Sequence, residues 1–345
     1  MSSLFFLVSG EHPTLPFSEL KAILEAEKYE YQVLEKLSQV LRVKVDIDSV
    51  QSIEFRSALT RVCSIELLCC SAEAEEIFKT VRLAPLDEFI QKGESFAVRI
   101  RRVGENAQHL FSKELERKLG KLILNKAKGL KVDLANPKKT FFGVLTDNKF
   151  VFGLKIAEIP PKLFVQRRPR QKPFFHPSAM PPKLARCMVN LAKPKAGDLV
   201  LDPFCGTASI LIEAGLMGCR ALGLDVKRRM VGGSLRNLLH YDIKPEGMIV
   251  ADASKPPTVK ADCIVTDPPY GRLATTLGRE THQIIKDSLS TLQDNLAGGR
   301  RICIAAPKSV KAGELSKELS LHHVESHFVH VHRSLTREII VFERS

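Results

Sequence analysis

Leu199-Val200-Leu201-Asp202-Pro203-Phe204-Cys205-Gly206-Thr207 is a short apolar run that stops at a carboxylate, passes through a glycine-containing turn and leads into a helical run, Ala208 to Leu216. Strand, tight turn and helix in that order open a doubly wound α/β sheet, in which ligands bind in the crevice at the carboxyl ends of the strands. Gly206 would let the backbone approach such a ligand closely. With a single glycine the turn is not a dinucleotide fingerprint, and no Gly-x-x-x-x-Gly-Lys-Ser/Thr loop exists anywhere in the chain to make it a P-loop nucleotidase.

Working outward, apolar β-like runs alternate with helical ones. Arg220 to Leu224 reads as a strand, Lys227 to Tyr241 as a helix, Met248 to Val250 and Cys263 to Val265 as strands, Arg279 to Leu296 as a helix, Ile302 to Ala305 as a strand and Lys311 to Leu319 as a helix. Two alternating runs, His322 to Val331 and Glu338 to Phe342, close the chain as a hairpin with one strand antiparallel to the rest. The alternation predicts a mostly parallel sheet buried on both faces. Asp225 follows the second strand, where an acidic side chain can accept both hydroxyls of a ribose. Asp252 follows the third, where it could accept from an adenine amino group. Any one of these aspartates could instead be a helix cap or turn residue. Asp202, Asp225 and Asp252 after three successive strands suit a ligand that carries an amine, a ribose and an adenine, and S-adenosylmethionine is such a ligand.

The fourth strand runs into Asp267-Pro268-Pro269-Tyr270. A Pro-rich turn explains that string equally well by itself. Its position supports a chemical reading. The lone pair of a nucleobase amino group is delocalised into the ring, so the nitrogen is a poor nucleophile until acceptors draw its hydrogens out of conjugation. Asp267 and the Pro268 carbonyl are candidate acceptors, and Tyr270 is a candidate stacking plate, a contact worth roughly 1–3 kcal/mol per base.

Composition bounds the partners. The 345 residues, 44% apolar and 26% charged, are enough for about two ordinary globular domains. No apolar run approaches the roughly 20 residues that span a bilayer, and Met1 to Val8 lacks the basic start of a signal peptide, so the expected location is cytoplasmic with no membrane partner. The eight cysteines form no Cys-x-x-Cys pair and read as reduced core residues. Residues 91 to 172 hold 20 Lys or Arg against 7 Asp or Glu, so this segment carries the whole net charge of +13. Concentrated positive charge is the footprint of nucleic-acid binding, although a charge run is more commonly a solvated surface. Arg99, Arg101, Arg102, Arg117, Lys121, Lys128, Lys131, Arg167 and Arg168 are the candidate RNA contacts.

A Pro-rich basic stretch from Pro160 to Pro182 divides the chain and reads as a linker or an ordered extended segment. Before it, Leu4 to Ser9 reads as a strand, Pro16 to Glu27 as an amphipathic helix and Gln32 to Asp46 as β-rich. Phe96 to Arg102 is a strand with Arg99 and Arg101 on one face and Val98 and Ile100 on the other, followed by a basic helix, Ser112 to Asn125. Two more strands, Thr140 to Leu145 and Phe150 to Ile156, flank a Thr-Asp-Asn turn and complete an α+β unit. His322, His323, His327, His330 and His332 cluster near the C-terminus. They read as a surface strand, since no Cys or carboxylate completes a usual ligand set, and no metal is expected.

The second domain resembles class I S-adenosylmethionine-dependent methyltransferases that act on amino groups, and the whole chain resembles archaeal tRNA guanosine-10 N2-methyltransferases with a THUMP domain. The residues that carry this are Gly10 to Pro13, Phe96 to Arg102, Val132 to Pro137, Pro173-Phe174-Phe175-His176-Pro177-Ser178-Ala179-Met180, Asp202 to Glu213 and Asp267 to Gly271. The resemblance implies a ferredoxin-like domain over 1–60, a THUMP RNA-binding domain over 61–160 and a lead-in over 161–182. A doubly wound, seven-stranded Rossmann-like methyltransferase domain would follow over 183–345. It implies that Asp202, Gly206, Thr207, Asp225 and Asp252 hold S-adenosylmethionine, with His176 near its methionine end, and that Asp267, Pro268 and Tyr270 are catalytic. One departure is Ala208-Ser209, where the family carries Gly-Gly. The Ala208 methyl is expected to narrow the pocket, and the helix it starts to favour alanine. The implied partners are tRNA and, as in eukaryotic relatives, a small zinc-binding activator subunit. Alternatives are N2-methylation of another tRNA guanosine such as position 6, a DNA amino-methyltransferase, or an RNA-binding protein that retains an inactive methyltransferase fold.

Overall fold

Strand-forming residues dominate the first stretch of chain, Ser2 to Val8, and Leu4 to Val8 are all buried there in a sheet covered on both faces. The computed structural model describes residues 1–126, 129–256, 260–269, 281–332 and 335–345, and divides into two units. The first comprises Met1–Pro13, Tyr29–Glu54 and Thr60–Pro160, and the second Thr14–Lys28, Phe55–Leu59 and Pro161–Ser345.

The first unit is built on one eight-stranded sheet. Its strands are β1 (Ser2–Val8), β2 (Tyr31–Leu37), β3 (Val40–Val45), β4 (Thr60–Ser71), β5 (Ser95–Arg102), β6 (Lys131–Val132), β7 (Lys139–Thr146) and β8 (Lys149–Glu158). They lie in the order β2-β3-β1-β4-β8-β7-β5-β6. Asp147 and Asn148, at φ +45° and +57°, turn β7 into β8. Two left-handed residues are what a two-residue hairpin with the natural strand twist requires, and Asp and Asn tolerate them. Gly153 on β8 passes so close to β4 that a Cβ there would lie 1.8 Å from the Ile65 carbonyl oxygen. Helix α3 (Ala74–Leu83) and the basic helix α4 (Ser112–Lys126) bury Ile77, Val81, Leu115, Leu119 and Ile123 in the same core as Phe96, Phe141, Phe150 and Phe152. Ser49–Arg56 forms a further helix, α2.

The second unit holds a seven-stranded sheet: β9 (Leu199–Asp202), β10 (Arg220–Asp225), β11 (Gly247–Val250), β12 (Cys263–Thr266), β13 (Arg301–Pro307), β14 (Leu321–His332) and β15 (Leu335–Arg344). The order is β11-β10-β9-β12-β13-β15-β14. The first five are mutually parallel, and β15 runs antiparallel to both of its neighbours. Helices α5 (Pro182–Leu191), α6 (Ser209–Gly215), α7 (Arg228–His240) and α8 (Thr281–Leu292) accompany the sheet. The strand order reverses between β9 and β12, where a crevice opens in a doubly wound sheet.

Three expectations need correction. Lys311 to Leu319 is not an α-helix: Lys311 is left-handed at φ +51°, and Ala312–Glu318 winds as a 3-10 helix after it. The Pro-rich stretch is not extended, since Pro161–Phe164 and Pro169–Gln171 form 3-10 turns. Phe164, Lys172, Phe174 and Met180 are buried within it, and Pro182 starts α5 at a first-turn position that tolerates proline. Nor is the histidine-rich strand wholly a surface. His327 is buried and bonds Thr14 Oγ1 at 2.7 Å and Glu325 at 3.1 Å, while a register shift separates His330 from His332. Among the described residues, no group of three or more His, Cys, Asp or Glu is placed to hold a metal ion, and no helix is long and apolar enough to cross a membrane. Six of the cysteines are buried as expected, whereas Cys69 and Cys70 are partly accessible.

Helix α1 (Leu15–Ala26) belongs to the second unit although it follows β1 in the chain. Its Glu19 is wholly buried. The carboxylate accepts from Ala58 N at 2.9 Å, Leu59 N at 2.8 Å, Ser57 Oγ at 2.8 Å and Asn190 Nδ2 at 2.9 Å. Burial pushes this carboxyl up, and the four donors oppose that push. Arg56 continues the network to Asn190 Oδ1 at 3.3 Å and the Pro194 carbonyl at 2.9 Å. Glu19→Ala removes the one acceptor group that these four buried donors share. Urea unfolding is expected to register a loss of about 3–5 kcal/mol. A loss below about 1 kcal/mol would show that the network contributes little to stability.

Candidate active site

Asp202, Asp225, Asp252 and Asp267 all follow or end parallel strands, so they share one edge of the sheet. Asp202 ends β9 with only 2% of its surface exposed. Its Oδ1 accepts from Thr266 Oγ1 at 2.7 Å and from Phe204 N at 3.1 Å, so the last residue of β12 holds the carboxylate that ends β9. Burial pushes the Asp202 carboxyl up to about 7. Those two hydrogen bonds oppose the shift, and the carboxylates of Asp267 and Asp225 add to it.

Asp225 ends β10 and closes the turn after β9. Gly206 N donates to its Oδ2 at 3.2 Å and Lys227 N to its Oδ1 at 2.9 Å. Burial raises its carboxyl, opposed by these bonds and by the charges of Lys227 and His176. Gly206 is left-handed at φ +53°, a conformation that favours glycine, and a Cβ built on it would make only ordinary contacts, at 3.8 Å to the Phe204 carbonyl oxygen and 4.0 Å to Met230. Thr207 is buried, with Oγ1 at 3.3 Å from Ser209 Oγ. Asp252 lies two residues beyond β11 and accepts from Ser254 N at 2.9 Å and Ser254 Oγ at 2.8 Å through Oδ1. His176 Nδ1 pairs with Ser178 Oγ at 2.7 Å.

Asp267 directly follows β12, and Arg337 on β15 places Nη2 3.5 Å from its Oδ2. Pro268 is buried beside it. Tyr270, the expected stacking plate, lies outside the described residues, as does Lys128 among the basic candidates. The departure at Ala208 has a different meaning from the one expected. Ala208 precedes α6 in a left-handed conformation, φ +59°, so helix propensity does not favour it there. Its methyl is fully buried in a cluster with Cys205, Leu211, Ile212, Ala221, Leu238 and Ile243.

The basic candidates divide by what they touch. Arg101, Arg117, Lys121 and Lys131 are exposed on the first unit. Arg99 donates to the Leu134 carbonyl at 2.6 Å, and Arg102 donates to the Leu110 carbonyl. Arg168 is exposed on the second unit. Arg167 grips Glu213 at 2.8 and 3.1 Å, with Arg186 sharing the same carboxylate at 2.9 Å.

Sequence reasoning missed Thr266, Arg337, Lys172, Glu213 and Asn237. For Asn237 a signal existed: Val231, Ser234, Asn237 and Leu238 recur at helical spacing on the buried face of α7, so an amide there has to find buried partners. Thr266 and Arg337 carry no such signal, because their partners lie 64 and 70 residues away in the chain.

Residues 71–155 match the THUMP domain model, and residues 169–338 match UPF0020, the RMKL-like methyltransferase domain. The chain is 40% identical to the tRNA (guanine(10)-N2)-dimethyltransferase of Methanothermobacter thermautotrophicus over 98% of each chain. It is 34% identical to the enzyme of the same name from Pyrococcus abyssi, covering 97% of this chain and 98% of the relative. TrmN from Thermus thermophilus shares the fold, with a TM-score of 0.57 at 20% identity over 99% of this chain and 100% of that one. Matched along nearly its full length, the chain belongs to the family of THUMP-domain tRNA (guanine(10)-N2)-dimethyltransferases.

Proposed function

We propose that this chain transfers methyl groups from S-adenosylmethionine to the exocyclic N2 amino group of a guanosine in tRNA, guanosine 10. The observation that carries the reading is the convergence of four aspartates on one edge of a seven-stranded sheet, with Asp202 ending and Asp267 following the two strands at which the order reverses. Identity to tRNA (guanine(10)-N2)-dimethyltransferases along nearly the whole chain supports the substrate.

The residues fit the cofactor by their chemistry. Asp202 is a buried carboxyl raised by desolvation, a group that a neighbouring cation stabilises strongly, and the amine end of the cofactor is such a cation. Asp225 suits the ribose hydroxyls and Asp252 the adenine amino group, while the bare backbone at Gly206 admits a ligand closely. When bound, S-adenosylmethionine supplies an electrophilic sulfonium methyl. Asp267 and the Pro268 carbonyl accept the hydrogens of the guanine amino group, which localises the nitrogen lone pair, and Tyr270 stacks on the ring. Positioning accounts for most of the rate, since a well-aligned reacting pair is worth roughly 7–11 kcal/mol. The nitrogen attacks the methyl carbon as the carbon–sulfur bond breaks and S-adenosylhomocysteine leaves, and the now cationic amino group then gives up its proton readily to an acceptor. The base must leave its stack to reach this site, at a cost of a few kcal/mol. Exposed cations such as Arg101, Arg117, Lys121 and Lys131 support the backbone contacts that offset that cost.

Nuclease digestion and mass spectrometry of a tRNA transcript incubated with enzyme and cofactor test the reading. Methylated guanosine at position 10 is expected. Asp267→Ala is expected to abolish it, a loss of at least about a thousandfold, while leaving cofactor affinity within about threefold. Modification elsewhere, or full turnover by the variant, contradicts the assignment.

The raised Asp202 carboxyl sets a pH dependence. The folded, ligand-free protein keeps a proton there that the unfolded chain sheds near the ordinary carboxylate value. Ionising Asp202 therefore costs stability as pH climbs toward about 7, and a bound cation recovers that cost. Calorimetric affinity for S-adenosylmethionine is expected to rise with pH up to about 7 and then level off, and Asp202→Asn is expected to lack this rise. A wild-type affinity that falls over that range would refute the assigned role.

A further inference from the structure

The segment from Lys172 to His176 is held at three points, by Ser209 at the start of α6 and by Asn237 and Gly233 on α7. Lys172 is buried and donates from Nζ to Ser209 Oγ at 2.8 Å. The Phe174 backbone is held at both of its polar groups by Asn237: Phe174 N donates to Asn237 Oδ1 at 2.8 Å, and Asn237 Nδ2 donates to the Phe174 carbonyl at 2.9 Å. The same Nδ2 donates to the Thr207 carbonyl at 3.0 Å. The Phe174 ring lies against Gly233 so closely that a Cβ there would sit 2.1 Å from its Cδ1. Asn237 is wholly buried, so its amide has no water to replace these partners.

We infer that Asn237 is a positioning residue for the cofactor: it ties Phe174 to Thr207 and thereby fixes how far the segment bearing His176 stands from the turn that ends in Gly206 and Thr207. The inference rests on the reading that S-adenosylmethionine occupies the crevice beside that turn. The Asn237 amide is the link that joins this segment directly to the turn backbone, through Phe174 and Thr207. Gly233 is required for the same reason from the other side, because any side chain there would lift Phe174 away. Its neighbour Gly232 faces open space, with nothing within 4 Å of a Cβ.

The two glycines provide the controlled test. Alanine favours a helix over glycine at both positions, so Gly232→Ala and Gly233→Ala affect α7 alike in propensity and differ in whether they displace Phe174. Calorimetry with S-adenosylmethionine, kinetics with cofactor and tRNA varied separately, and hydrogen exchange of the peptide containing Phe174 are measured for wild type, Asn237→Ala and both glycine variants. Wild type and Gly232→Ala are expected to bind alike. Asn237→Ala and Gly233→Ala are expected to bind at least tenfold more weakly, raise KM for the cofactor with KM for tRNA within twofold, and exchange the Phe174 amide faster. If Asn237→Ala fails to fold, Gly233→Ala decides. Wild-type binding with both test variants within twofold overturns the inference and leaves the functional reading intact. A wild type that does not bind the cofactor overturns the functional reading, and the inference with it.

Discussion

Parallel strands all end on the same side, and the second unit depends on that constraint. Five neighbouring strands, β11-β10-β9-β12-β13, run in one direction, so their carboxyl ends meet along one edge. Chain returning from each end must pass through a turn, where an aspartate is at home. Four such turns contribute a carboxylate without any of them lying close in the chain. The reversal of strand order sets β9 beside β12, and the Thr266–Asp202 hydrogen bond at 2.7 Å secures that junction. Asp202 and Asp267, the carboxylates proposed to face the cofactor and the base, thereby become neighbours in space.

Neighbouring carboxylates carry an electrostatic cost. Asp202 is desolvated, and Asp225 and Asp267 add negative potential to it. Backbone donors at Gly206, Phe204 and Lys227 offset part of that cost, and Arg337 sets a cation against Asp267. A site of this kind is stabilised further by a positively charged ligand. In the proposed reading these carboxylates favour a ligand that carries an amine and a sulfonium.

Much of this arrangement was legible in the sequence because it follows from local rules. Alternating apolar runs gave the sheet, and aspartates at strand ends gave the row of carboxylates along one edge of it. The Asp-Asn hairpin between β7 and β8 followed from turn chemistry. What could not be read depends on residues far apart in the chain. Glu19 looks like a solvent-facing helix residue until residues 57–59 and Asn190 close around it, 38 to 171 residues away. Arg167 looks like an RNA contact within a basic run until Glu213 claims it. At Ala208 helix propensity misled, because the residue stands one position outside the helix in a left-handed turn, where propensity has no bearing.

The central claim is that the four strand-end aspartates form one site, divided between cofactor and base. A crystal structure with S-adenosylhomocysteine tests it most directly. The account predicts the ribose hydroxyls on Asp225, the adenine amino group by Asp252 and the amino-acid end by Asp202, leaving Asp267 uncovered for the base. A ligand seated away from the β9 turn, or one whose adenosine occupies Asp267, would contradict it.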